Sequence, residues 1–203
     1  MCLCFIKVFC RLVKLGFEII YLDESKIELR NTHLRCWRKK NETLYFVDNK
    51  GKLNLLMAVG KNKVYKYIMN PENTNEKRYM EFLNELYIEL KKDENKKFVI
   101  ILDNLRVHKT KNIISYCIEK KINLVFNVPY QSVFNSIELC FRAIKRNTYL
   151  QIYKNIDETK KDIENIINSN NFKDTLLFNY KETLQEYLFF GENHKYDNMN
   201  NDL

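Results

Sequence analysis

Glycine and proline are scarce in this chain, at four and two residues among 203. That leaves little room for a flexible linker or for an all-β fold rich in tight turns. No apolar run approaches the roughly 20 residues needed to span a bilayer. The first 22 residues come nearest, but Lys7, Arg11, Lys14 and Glu18 interrupt them. No small-residue cleavage site follows, so no secretory leader or membrane anchor is expected. Residues 1–16 read instead as a remnant linker or helix leading into a first strand. No Cys-x-x-Cys pair of the zinc type occurs among the six cysteines, and nothing requires an oxidising compartment. Cys117 and Cys140 fall on apolar helix faces and are expected in the core. Internal repeats and phosphate-cradling glycine loops are also missing.

What is present suits one folded domain. Hydrophobic residues make up 45% of the chain and aromatics 13%, enough to bury a substantial core. The net charge of +8 is uneven. Residues 1–150 hold 28 Lys and Arg against 16 Asp and Glu, whereas residues 151–203 hold 6 against 10. A basic body favours a polyanionic partner through phosphate contact and counterion release. Charge alone leaves simple solubility as an equal reading.

Hydrophobic periodicity gives a coarse order of strand, hairpin, helix, strand, helix, strand, then helices. The first strand is expected over 17–23, a hairpin over 53–59 and 63–69 around Gly60, and an amphipathic helix over 74–92 with Asn73 and Glu76 as start signals. A fully apolar strand follows at 98–103, then a helix at 110–120, a strand at 122–127 and a helix from about 135. In that last helix Ile137, Cys140, Phe141 and Ile144 form the buried stripe. Further helices are expected over 156–168 and 174–190, with a polar, frayed tail from 192. A hairpin followed by parallel crossovers implies an α/β fold, a mixed five-stranded sheet flanked by helices. It sets the ends of the first and fourth strands side by side.

Three carboxylates stand out in that frame. Asp23 and Asp103 end the apolar runs FEIIYLD and KFVIILD, and Glu138 lies where a loop turns into a helix. A carboxylate at a strand's end contributes nothing to packing. Three brought together need positive charge between them, and hard oxygen donors select Mg²⁺ or Mn²⁺. Two such ions can activate an attacking oxygen and stabilise a leaving oxygen at a phosphodiester. Strand alternation turns Glu24 to the opposite face from Asp23 and makes it non-catalytic.

At these positions the chain resembles the catalytic domain of mariner-type transposases in the DDE superfamily, over residues 17–150. The matching pieces are Asp23, the pair Asp103-Asn104, His108 at the Asp-Asn-x-x-x-His spacing, and Pro129, Tyr130, Asn135, Ile137 and Glu138. The 34 residues between Asp103 and Glu138 match a major branch. Arg35, Trp37 and the GKLNLLMAVG stretch fall where the family has a Gly-Arg-x-x-Trp-like step and a Gly-flanked strand. Gln131, Ser132 and Ser136 replace residues expected to be Ser, Pro and Pro, and lost prolines leave the loop less pre-organised. Fewer residues precede Asp23 than one helix-turn-helix module needs, so any nicking is expected to ignore terminal repeats.

The resemblance implies an RNase H-like fold. The expected divisions are a linker or helix at 1–16, the catalytic domain at 17–150, a helical extension at 151–191 and a polar tail at 192–203. It implies Asp23, Asp103 and Glu138 as catalytic and metal-holding residues for two Mg²⁺ or Mn²⁺ ions. Water would first cut donor DNA, and the freed 3′-hydroxyl would then attack target DNA. Arg35, Trp37, Arg38, Lys109, Arg142 and Lys145 are the expected contacts to nucleic acid, and Asn104, His108, Pro129, Tyr130 and Asn135 the supporting residues. The expected partner is double-stranded DNA, as transposon ends and target, with room for a homodimer and no membrane. The expected location is the nucleus in a eukaryote or the cytoplasm in a bacterium, not secretion. A non-enzymatic nucleic-acid-binding domain derived from a transposase is the alternative. A nuclease of the same fold acting on RNA is a third reading.

Overall fold

The computed structural model describes residues 2–28, 39–40, 51–93, 95–129, 131, 134–149, 151, 153 and 155–199. Its first element is a helix, α1 (Cys2–Lys14). Gly16 closes it in the left-handed region, at φ 75°. The amides of Gly16 and Phe17 bond back to Val13 and Leu12, both at 3.0 Å. This is the glycine stop that frees the chain to turn, and it aims the next residues into the sheet.

Five strands follow in the order β3-β2-β1-β4-β5. They are β1 (Glu18–Glu28), β2 (Lys52–Val59), β3 (Val64–Asn70), β4 (Phe98–Leu102) and β5 (Asn123–Phe126). β1 pairs antiparallel with β2 and parallel with β4, and β4 pairs parallel with β5. The sheet is therefore mixed and five-stranded, as the sequence suggested. One expectation fails: β1 does not end at Asp23. Its parallel pairing with β4 stops at Leu22 opposite Leu102, but the antiparallel ladder with β2 continues to Glu28 opposite Lys52. Asp23 is thus inside a strand that has lost one neighbour, while Asp103 lies one residue beyond the end of β4.

Two layers of helix cover the sheet. On one face α2 (Glu76–Lys91) and α3 (Lys111–Glu119) pack on Ile20, Leu22, Ile100 and Leu102. On the other, α1 joins α4 (Ser136–Tyr149), α5 (Ile156–Asn168) and α6 (Asn170–Met199) over Ile19, Tyr21, Val99 and Ile101. Alternation along β1 sorts the two sets, as a period of two requires. The predicted stripe Ile137, Cys140, Phe141 and Ile144 is buried, and so is Cys117.

Two boundaries differ from expectation. Asn75 rather than Asn73 caps α2, its side chain accepting from the Arg78 amide at 3.0 Å. The chain stays helical past residue 192, to Met199. Of the linker or helix expected at residues 1–16 the structure shows the helix, with Phe5 and Phe9 buried against Phe134 and Tyr187. Among the described residues no helix is long and apolar enough to cross a membrane.

Candidate active site

The middle of β1, the ends of β4 and β5 and the start of α4 surround a cavity of about 690 Å³. Asp23, Glu24, Asp103, Asn127, Asn135 and Glu138 are among its lining residues. A cavity of this kind is expected beyond the carboxyl ends of parallel strands. A smaller cleft of about 510 Å³ lies between β3, α2 and α5. It draws together no set of residues that the sequence singled out.

Asp23 is buried, at 5% exposure. Its Oδ2 accepts from Asn135 Nδ2 at 2.8 Å and its Oδ1 from the Glu24 amide at 2.7 Å. Burial pushes its carboxyl up to about 7, and the charges of Asp103 and Glu138 add to the rise. The Glu24 amide opposes it, and His108 does so more weakly. Asp103 goes the other way. Burial alone would raise it, but His108, the Leu105 amide at 3.0 Å and Lys109 together hold it below the ordinary carboxylate range. The two aspartates are thus driven apart, one towards the neutral form and one towards the charged form.

His108 is completely buried in a short 3₁₀ turn, Arg106–Lys109. Its Nδ1 lies 2.7 Å from Asp103 Oδ1, although neither ring nitrogen has a partner in good hydrogen-bond geometry. The short distance marks a close electrostatic contact rather than an aligned N–H bond. The imidazole ring stacks on Tyr79 of α2, centroid to centroid 4.6 Å. His108 is therefore clamped between a helix and a carboxylate, which suits orientation better than proton transfer.

Asn104 joins the two strand ends. Its Nδ2 donates to the Asn127 carbonyl, and its Oδ1 accepts from Lys109 Nζ at 2.5 Å. Lys109 also lies over the Phe126 ring, 4.8 Å from its centroid. It is exposed, beside the strand ends that Asn104 joins. Pro129 is exposed and lines the cavity. Arg142 is exposed and Lys145 half-buried on α4, one and two turns beyond Glu138. Arg35, Trp37, Arg38 and Tyr130 lie outside the described residues.

Two residues of the cavity were not foreseen. Asn127 is buried at the end of β5. It accepts from the Val128 amide at 2.7 Å and donates to the Gln131 carbonyl at 3.3 Å. These bonds hold a loop that has lost its prolines. The signal was a polar residue closing the run INLVFN. Glu24 does turn to the face opposite Asp23, towards Thr74 and Tyr79. It nonetheless lines the same cavity, at the point where β1 has lost its β4 neighbour. Burial raises its carboxyl as well.

Over the matched region the decisive finding is a family model, DDE superfamily endonuclease, that matches residues 18–160. The chain belongs to the DDE superfamily endonucleases. Solved structures agree on the fold. A pre-cleavage Mos1 transpososome superposes with a TM-score of 0.76 at 13% identity, over 95% of this chain and 60% of that one. The Mos1 mariner paired-end complex with Mn gives 0.76 at 13%, over 95% and 61%. The isolated catalytic domain of Mos1 mariner transposase gives 0.70 at 14%, over 92% and 88%. The chain thus spans about 60% of the Mos1 chains in the DNA complexes. No curated protein matches it. The sheet with its flanking helices is the RNase H-like arrangement expected of this DDE family.

The donor set of this DDE domain fits a hard divalent cation. Asp23, Asp103 and Glu138 offer only oxygens to the cavity, and Asn135 Oδ1 is a buried acceptor without a partner. Hard oxygen donors are what Mg²⁺ and Mn²⁺ select. Among the described residues, however, no three acidic, His or Cys side chains are clustered tightly enough to cage an ion. Asp103 leans to His108, Asp23 to Asn135, and Glu138 is exposed.

Proposed function

We propose that this chain carries out metal-dependent DNA strand cleavage and strand transfer, as the catalytic domain of a mariner-type transposase. The observation that carries the reading is the convergence of Asp23, Asp103 and Glu138 on one cavity at the strand ends of a DDE endonuclease. These three residues would hold two divalent ions, Mg²⁺ or Mn²⁺. When bound, the ions supply the positive charge that activates the attacking oxygen and stabilises the leaving oxygen of a phosphodiester.

The chain's own residues supply the orientation. Asn135 holds one oxygen of Asp23 and leaves the other to the Glu24 amide. His108 and the Leu105 amide fix Asp103 at the end of β4. Asn104 keeps β4 and β5 in register at the cavity floor. Glu138, in the first turn of α4, brings the third carboxylate to the cavity wall. The substrate is double-stranded DNA, in the form of transposon ends and target, and a homodimer is the proposed working assembly.

The direct test is nicking of supercoiled plasmid in Mn²⁺ by the parent protein and by Asp103→Ala. The parent should nick and the variant should not. Equal activity in both would assign the cleavage to a contaminant and sink the reading.

DNA binding gives a separate expectation. Residues 1–150 carry the basic excess, and Arg142 and Lys145 continue the face that bears Glu138. Duplex affinity should therefore fall steeply with salt. Reversing both residues to Glu should lower the salt slope by about 2, one for each phosphate deprived of its cation. Reversing Lys160 and Lys173, in the acidic C-terminal part, should leave the slope unchanged. Fluorescence anisotropy over a salt series measures it, and equal slopes for the two double variants would contradict the placement.

A further inference from the structure

Tyr187 lies on α6, 27 positions beyond the end of the region matched to the endonuclease family. It is nevertheless joined to the cavity. Its ring is 1% exposed and stacks on Phe134 with centroids 5.0 Å apart and planes 16° off parallel. Phe9 and Phe5 of α1 lie at 3.9 and 5.8 Å. Its hydroxyl donates to the Phe134 carbonyl at 2.7 Å.

The Phe134 carbonyl belongs to the peptide that enters Asn135. The Asn135 side chain donates to Asp23, and its carbonyl accepts the Glu138 amide at 3.0 Å, the bond that opens α4. The tyrosine hydroxyl is therefore one peptide from the residue that touches both carboxylate positions. The hydroxyl also meets the buried hydroxyl of Tyr21 on β1, so it ties the site loop to the sheet. The three aromatic contacts are made by the ring, and a phenylalanine would make them too. A buried hydroxyl is retained at a cost unless it is bonded, and the bond this one donates goes to the backbone of the site loop.

We propose that Tyr187 is a positioning residue, whose hydroxyl fixes the Phe134–Asn135 peptide and thereby sets where Asp23 and Glu138 stand in the cavity. The inference rests on the proposed cleavage activity of that cavity. It makes α6 a working part of the site, although none of its described residues lines the cavity.

Tyr187→Phe keeps the ring and removes the hydroxyl. In the full chain without metal, hydrogen exchange should quicken about five- to tenfold at the Glu138 amide, the effect of one lost hydrogen bond. Exchange at Ile100 in β4 should not change. In Mn²⁺-supported plasmid nicking, kcat should fall about tenfold with KM for DNA unchanged, since the groups that touch phosphate stay in place. Asn135→Ala breaks the next link and should show the same split. Unchanged exchange at Glu138 in Tyr187→Phe would overturn the proposal, as would normal kcat in either variant. A parent protein that never nicks would remove the functional reading instead, and the exchange result would still decide whether the hydroxyl holds the loop.

Discussion

Asp23→Asn is expected to make the metal-free protein more stable at pH 8 while abolishing cleavage. The buried carboxyl of Asp23 is raised from 3.8 to about 7, chiefly by burial and then by Asp103 and Glu138. A raised folded-state value means that the folded chain holds this proton more tightly than the unfolded chain does. Below about pH 4 the group is protonated in both states and costs nothing. As pH rises towards 7 the native state loses stability, and above 7 the loss is complete. Three pKa units set an upper limit of about 4 kcal/mol. An amide at position 23 removes the charge, and Asn135 can turn its unpartnered Oδ1 to meet it. A net gain of about 1–2 kcal/mol at pH 8 is the expected result. Urea unfolding in chelator at pH 5 and pH 8 measures it. The parent should weaken between the two, and the variant should weaken less, since Glu24 keeps its own raised carboxyl. Plasmid nicking should fall by at least about 10³-fold. A variant less stable than the parent at both values would show that the carboxylate is well accommodated as it stands.

Phe9→Ala should cost about 3–5 kcal/mol, the range for emptying a buried aromatic position. Phe9 is 1% exposed and lies between Phe5 and Tyr187. If residues 1–16 were merely a linker, the substitution would be silent. Chemical denaturation at neutral pH separates the two, and a loss under about 1 kcal/mol would detach α1 from the core. Because Phe9 backs the ring of Tyr187, the site loop should loosen as well.

The sheet was legible because its strands are short apolar runs with turn signals between them, and the order hairpin then crossovers leaves few topologies. The carboxylates were legible because each closes such a run or opens a helix. Tertiary pairing was not. Nothing in FEIIYLDESKIE says that β1 keeps one partner after losing the other, so Asp23 was placed at a strand's end when it lies inside one. The part played by α1 was hidden for a similar reason. Its apolar residues mark a helix, but the partners that bury them, Phe134 and Tyr187, lie more than 100 residues away. Asn127 and Tyr187 act through backbone carbonyls and amides, groups that every residue has and no sequence pattern records.

The continuation of β1 past Asp23 has a consequence for how such a gene tolerates insertions and deletions. Adjacent acids, Asp23 and Glu24, stand on opposite faces of one strand, and only the two-residue pleat decides which of them meets Asn135. The ladder with β2 fixes that choice, from Tyr21 opposite Val59 to Glu28 opposite Lys52. A codon gained or lost between Glu18 and Asp23 would turn the wrong acid towards Asn135 while leaving the stretch apolar. The same change in the turn at residues 60–63 would leave the choice untouched. Reading frame apart, this strand has a parity, and descent with function must preserve it.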